Sequence, residues 1–169
     1  MSLHPFVTKQ KVMLENLDRW LEKASAFATA KKFDVNNLLT ARLAPDQYPL
    51  LNQLQSCCDN AKFAGSRLSG KEAPKHPDTE KTVDELRARI KSVVEYLNGF
   101  TARDFDGAAE RDIELSYMPG KVFKAAEWYV DMGQPNFYFH VTTAYAILRH
   151  NGVDLGKMDY IGGARMRDK

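Results

Sequence analysis

Of the four histidines in this 169-residue chain (His4, His76, His140 and His150), only His140 is placed where an imidazole could do chemistry. It falls within the run Pro135-Asn136-Phe137-Tyr138-Phe139-His140-Val141-Thr142-Thr143-Ala144-Tyr145-Ala146-Ile147-Leu148-Arg149-His150-Asn151-Gly152. That run reads as a helix with proline near its start and Asn-Gly as its stop. On a helix, Asn136 stands one turn before His140 on the same face, and Thr143 and Ala144 stand one turn after it. Such an arrangement is either half of a metal site or a core histidine bonded to Asn136 or to a residue of another helix. A divalent metal would need at least two more N, O or S donors from other helices, and Asn136 offers only an amide oxygen beside the imidazole.

The other reactive side chains point less clearly to chemistry. His4 lies in the first turn of a helix, and His76 lies in a loop between prolines. His150 sits near a helix C-terminus, where a charged imidazole interacts favourably with the dipole. Cys57 and Cys58 are adjacent, so on a helix they point about 100° apart and are poorly placed to bridge each other. They read as small buried side chains. The acidic run Asp104, Asp106, Glu110, Asp112 and Glu114 reads as a solvated loop, and no glycine lies in a phosphate-loop pattern.

Four amphipathic helices must position His140. Leu3, Phe6, Val7, Met13, Leu14, Leu17, Trp20, Leu21, Ala24 and Phe27 recur at three- and four-residue steps, with Ser2 as N-cap and Pro5 in the first turn. Pro45 and Pro49 bracket the start of a second helix near Asp46. It runs through Leu54, Cys57, Cys58, Ala61, Ala64 and Leu68 to Ser69-Gly70. Thr82 and Glu85 form a capping-box pair ahead of a third stripe, Val83 to Phe100, with Asn98-Gly99 as its terminator. Ile113, Leu115 and Tyr117 alternate with polar residues before Met118-Pro119-Gly120, which predicts a short β-hairpin. The fourth helix follows, over about 135–150. The expected fold is therefore all-α, a four-helix bundle with a short β-hairpin before the last helix, in one domain over 1–155. Residues 156–169 are expected to form an irregular, Gly-containing tail.

Bulk properties exclude several functions. Net charge is +2, and the surplus lies in the last fourteen residues, leaving residues 1–155 balanced. Such balance gives no basic face for nucleic acid. No apolar stretch approaches the roughly 18 residues of a membrane span, and the N-terminus lacks a secretory signal pattern. A cytoplasmic protein is expected. Aromatic residues concentrate late in the chain, including Trp128, Tyr138 and Tyr145. They read as core packing, a homodimer face or the wall of a small-molecule pocket.

The segment from Asn136 to Gly152 resembles the last helix of the DinB/YfiT-like four-helix-bundle metalloenzyme superfamily. There a His-x-x-x-His pair precedes an Ala-Leu-Leu-Arg-x-x-Gly ending; Ala146-Ile147-Leu148-Arg149-His150-Asn151-Gly152 matches that ending and His140 falls on the second histidine. The pattern Pro-Asn-Phe-Tyr-Phe-His with Thr-Ala-Tyr-Ala-Ile-Leu-Arg resembles one uncharacterised bacterial domain family within it. The resemblance implies a dimeric bundle, with some relatives acting as metal-dependent thiol transferases or hydrolases. Two of the three imidazoles it implies are missing. Asn136 replaces the first histidine of the pair, and the second helix has no histidine, leaving Gln53, Asp59, Cys57 and Cys58 as substitutes.

The favoured expectation is thus a metal-depleted, small-ligand-binding or non-catalytic homodimer, needing no resident cofactor and binding neither nucleic acid nor membrane. Its pocket candidates are Asn136, His140, Gln53, Thr143, Trp128 and Tyr138. One alternative is a metal-dependent transferase or hydrolase rebuilt around His140 as metal ligand; the other is a structural or interaction protein.

Overall fold

The computed structural model describes residues 2–163. Helix α1 spans His4–Lys31, α2 Leu50–Ser69 and α3 Val83–Asn98. Strands β1 (Asp112–Glu114) and β2 (Val122–Lys124) pair antiparallel with Ile113 opposite Phe123, forming the expected hairpin. The last rod is α4 (Ala125–Trp128), a π turn over Tyr129–Gly133, and α5 (Gln134–His150). A short helix α6 (Lys157–Ile161) closes the described chain. Helix α1 packs chiefly on α3 and α2 chiefly on α5, while α2–α3 and α1–α5 contacts complete the ring. The order around the bundle is therefore α1, α3, α2, α5. The 32–49 connection crosses between consecutive helices on a diagonal, and within it Leu38 and Leu39 plug the core.

Local chemistry explains the boundaries. Thr82 accepts from the Glu85 amide at 3.2 Å while the Glu85 carboxylate accepts from the Thr82 amide at 3.0 Å, so the capping box forms as expected. Gly70 ends α2 at φ +80°, a conformation that favours glycine. Gly65 lets α3 approach α2: a Cβ there would lie 3.0 Å from both Leu97 and Phe100 side-chain carbons.

Four expectations need correction. Leu3, not Ser2, stands at the N-cap position of α1; the Ser2 hydroxyl accepts from the His4 amide two residues on. Helix α2 begins after Pro49 rather than near Asp46, which lies in the preceding turn. Pro135 stands in the first turn of α5, as expected, but it does not open a new rod. It lies inside continuous helix from Ala125, where its missing N–H and its ring break the regular ladder, and the turn widens so that the Gln134 N–H donates to the Tyr129 carbonyl.

Nor is the segment after Gly156 irregular, because α6 is docked through aromatic residues. Tyr160 stacks on Trp20 at 5.7 Å between ring centroids and meets Tyr145 edge-on. The Trp20 indole N–H donates to the Asp159 carbonyl at 3.0 Å, and Lys23 pairs with the Asp159 carboxylate at 2.7 Å. The rest of the expected tail, 164–169, lies outside the described residues.

Candidate functional site

Helices α2 and α5 run antiparallel, and their shared seam carries three polar pairs. Gln53, Asn60 and Arg67 recur every seven residues on α2, two turns apart, so all three point along one line. Opposite them, in descending order, stand His140, Asn136 and Trp128. The Gln53 Oε1 lies 2.7 Å from His140 Nδ1, Asn136 Nδ2 donates to Asn60 Oδ1 at 2.7 Å, and the Arg67 guanidinium lies 5.0 Å from the Trp128 ring centroid.

The Gln53–His140 contact fixes a tautomer. Gln53 is fully buried in the first turn of α2, and its amide NH2 donates to the Tyr48 carbonyl at 3.0 Å. Its Oε1 must therefore accept, so His140 Nδ1 carries the hydrogen and Nε2 keeps its lone pair. Burial pushes the His140 pKa down, which favours this neutral form.

Past Asn60–Asn136 the seam opens into a cleft of about 430 Å³. Asn60 and Arg67 from α2, Tyr117 from the hairpin turn, and Trp128, Asn136 and Phe139 from the last rod line it, with Asp131 also on its wall. Arg67 is half-buried, and its guanidinium also lies 5.0 Å from the Phe63 ring centroid, so two aromatic faces hold it. Burial lowers its pKa, and Tyr117 opposes that shift. Among the described residues no carboxylate pairs with it.

The expected site residues thus separate into two groups and two outliers. His140 meets Gln53, while Asn136 and Trp128 join the cleft one turn and three turns away. Thr143 turns its hydroxyl onto its own helix, donating to the Phe139 carbonyl at 2.8 Å. Tyr138 is half-buried with its ring edge-on to Phe137, and burial first and Tyr160 second raise its pKa. Neither lines the cleft. Of the second-helix alternatives, Asp59 faces α3, pairing with Arg89 at 2.6 Å and Lys62 at 2.8 Å. Cys57 and Cys58 are buried, and burial raises both thiols, Cys58 to about 12, so neither supplies a thiolate.

Sequence reasoning passed over Asn60 and Arg67, and placed His76 in a loop without giving it a partner. The seven-residue spacing on α2 was a readable signal for the first two. His76 had none: its ring bridges Lys62 at 3.3 Å and Ser92 at 3.1 Å, binding the proline loop to α2 and α3.

A three-imidazole metal centre does not fit these donors. The amide oxygens of Gln53 and Asn60 already accept from His140 and Asn136, leaving His140 Nε2 and the Asn136 oxygen. Among the described residues no group of three or more His, Cys, Asp or Glu side chains converges to hold a metal ion.

A helical ring closed by α2–α5 contacts, with a hairpin feeding the last rod, defines a DinB-like bundle. The chain is similar to a DinB family member protein from Shewanella denitrificans whose crystal structure is known at 1.83 Å resolution. The two share 47% sequence identity over 96% of this chain and 93% of that one, with a TM-score of 0.92. Residues 5–161 match the family model described as Domain of unknown function (DUF1993), and the chain belongs to that family. No curated protein matches it. Among the described residues no helix is long and apolar enough to cross a membrane.

Proposed function

We propose that this DinB-like protein binds a small organic molecule in the cleft between α2 and the last rod and holds no resident metal. One observation carries the reading. The positions that would supply metal donors are paired with each other along the seam, while the cleft beside them is open and lined by aromatic and amide groups. Its volume falls within the range of roughly 300–1,000 Å³ usual for small-molecule sites. The amides and the His140 imidazole brace α2 against α5 and so keep the cleft wall in place.

The homodimer expected for the superfamily belongs to this reading, supported by exposed Val122 and Val130 on the hairpin and last rod. Light scattering would then give twice the chain mass, and a monomer would remove that part.

The test has two arms. Elemental analysis of protein purified without added metal should find no stoichiometric transition metal; a tightly held ion would overturn the metal-free half. Screening a small-molecule library by 1H–15N NMR should give ligands that move the Trp128 indole N–H and the Asn60 and Asn136 side-chain amides. Hits clustering elsewhere would overturn the cleft.

A second reading is favoured by the lone pair on His140 Nε2. In it His140 and Asn136 would hold a metal, which would supply Lewis-acid chemistry for a transferase or hydrolase. Zinc titration separates the two: uptake abolished by His140→Ala supports this reading, and its absence in wild type removes it.

A further inference from the structure

The side chain left over by the seam is Arg67. A half-buried guanidinium loses solvation and ordinarily recovers it from a carboxylate or from hydrogen-bond acceptors. Here, among the described residues, its compensation comes from two aromatic faces. The Arg67 Cζ lies 5.0 Å from the ring centroids of both Phe63 and Trp128, an arrangement that favours the cation through the ring quadrupoles. A ring face does not take up the guanidinium N–H groups as a carboxylate would, and those groups suit the two oxygens of a carboxylate. The same cleft presents Trp128 and Phe139 as flat apolar walls and the Asn60–Asn136 amides as polar contacts.

We propose that Arg67 is the docking point for the carboxylate of a small ligand whose flat apolar body lies against Trp128 and Phe139. The assignment rests on the reading of this cleft as a ligand pocket and gives that pocket its ligand class. Asp131 on the cleft wall adds a selection rule. Its negative charge opposes a second anionic group, so the site takes a monocarboxylate over a dicarboxylate or a phosphate dianion.

The chain carries two tryptophans, and the Trp20 indole N–H is bonded to the Asp159 carbonyl, so Trp20 serves as an internal control. Full-length 15N-labelled protein is titrated with aryl monocarboxylates, phenylacetate among them, and with the matching carboxamides, followed by the two indole N–H signals. The carboxylates should move the Trp128 signal and leave Trp20 in place, and each amide should bind at least tenfold more weakly. Arg67→Gln should erase that difference and Arg67→Lys should restore part of it. Inorganic phosphate should leave both signals unmoved.

Carboxylates and amides that shift Trp128 with equal affinity would overturn the anion assignment while the cleft reading stands. If neither series moves Trp128, and a neutral library fails as well, the assignment and the cleft reading fall together. Because the carboxylate–amide comparison is made on the wild-type protein, misfolding of an Arg67 variant does not blunt the test.

Discussion

Replacing Gln53 with leucine tests the central contact of the seam. Gln53 is fully buried and makes two side-chain hydrogen bonds, one to the Tyr48 carbonyl and one from His140 Nδ1. Each such bond contributes about 0.5–1.5 kcal/mol net. Tyr48 is 61% exposed, so water can rehydrate its carbonyl once Gln53 is gone, whereas the half-buried His140 loses the partner that fixes its ring. The expected loss for Gln53→Leu is therefore about 1–2 kcal/mol, mostly from the His140 side, partly offset by the leucine's added burial.

Urea denaturation gives that figure, and a double-mutant cycle with His140→Ala should return a coupling of about 1 kcal/mol. Long-range 1H–15N correlation of the imidazole supplies an independent readout. At pH 7.5 wild-type His140 should be neutral with its hydrogen on Nδ1, and in Gln53→Leu the proton should move largely to Nε2. A wild-type ring protonated on Nε2, or additive effects in the cycle, would refute the assigned geometry.

Three further outcomes are expected. Arg89 has a side chain only 1% exposed and pairs with Asp59, Asp78 and Glu80, so Arg89→Ala should destabilise the fold by about 3 kcal/mol in urea denaturation, within the range for breaking buried pairs. Gly70→Ala should cost about 1–2 kcal/mol, because φ is +80° there and the new Cβ meets the Arg111 guanidinium, as thermal unfolding can measure. Burial lowers both His76 and His140, with Lys62 and Arg89 adding to the effect at His76. The unfolded chain then binds more protons than the native one below about pH 6.5, so stability should fall as pH drops through that value and on toward the lower folded pKa values. Denaturation midpoints across pH 5–8 should show this slope, diminished in a His76→Asn, His140→Asn double variant.

Most of the scaffold was legible because its signals were local. Three-and-four spacing marks α1, α2 and α3, the Thr82–Glu85 pair marks the start of α3, and alternation at Ile113 marks the hairpin. The docking of α6 depends on Trp20 and Tyr145, far away in the chain, and Gly162-Gly163 alone suggested a loose end. The π turn was hidden for a related reason: Pro135 reads locally as a helix start, and the helical period is weak in the residues before it, although Trp128 and Tyr129 are buried there. His140 could be singled out from one helix, but its partner required the relative register of two. Once Gln53, Asn60 and Arg67 are set against His140, Asn136 and Trp128, which stand four and then eight residues apart in reverse order, the antiparallel register follows.

The π turn also makes the last rod tolerant of a change in length. It holds one residue more than an α-helical turn needs, so deleting a single position within 129–133 can return the segment to ordinary α winding. The wider turn absorbs its extra residue locally, so a deletion confined to it would leave Trp128 and the hairpin on nearly the same side of the rod as Asn136 and His140. A lineage lacking that residue would keep the indole against the guanidinium, and the recess with it. Chain-length variation at this turn is thus buffered from ligand choice as well as from the core.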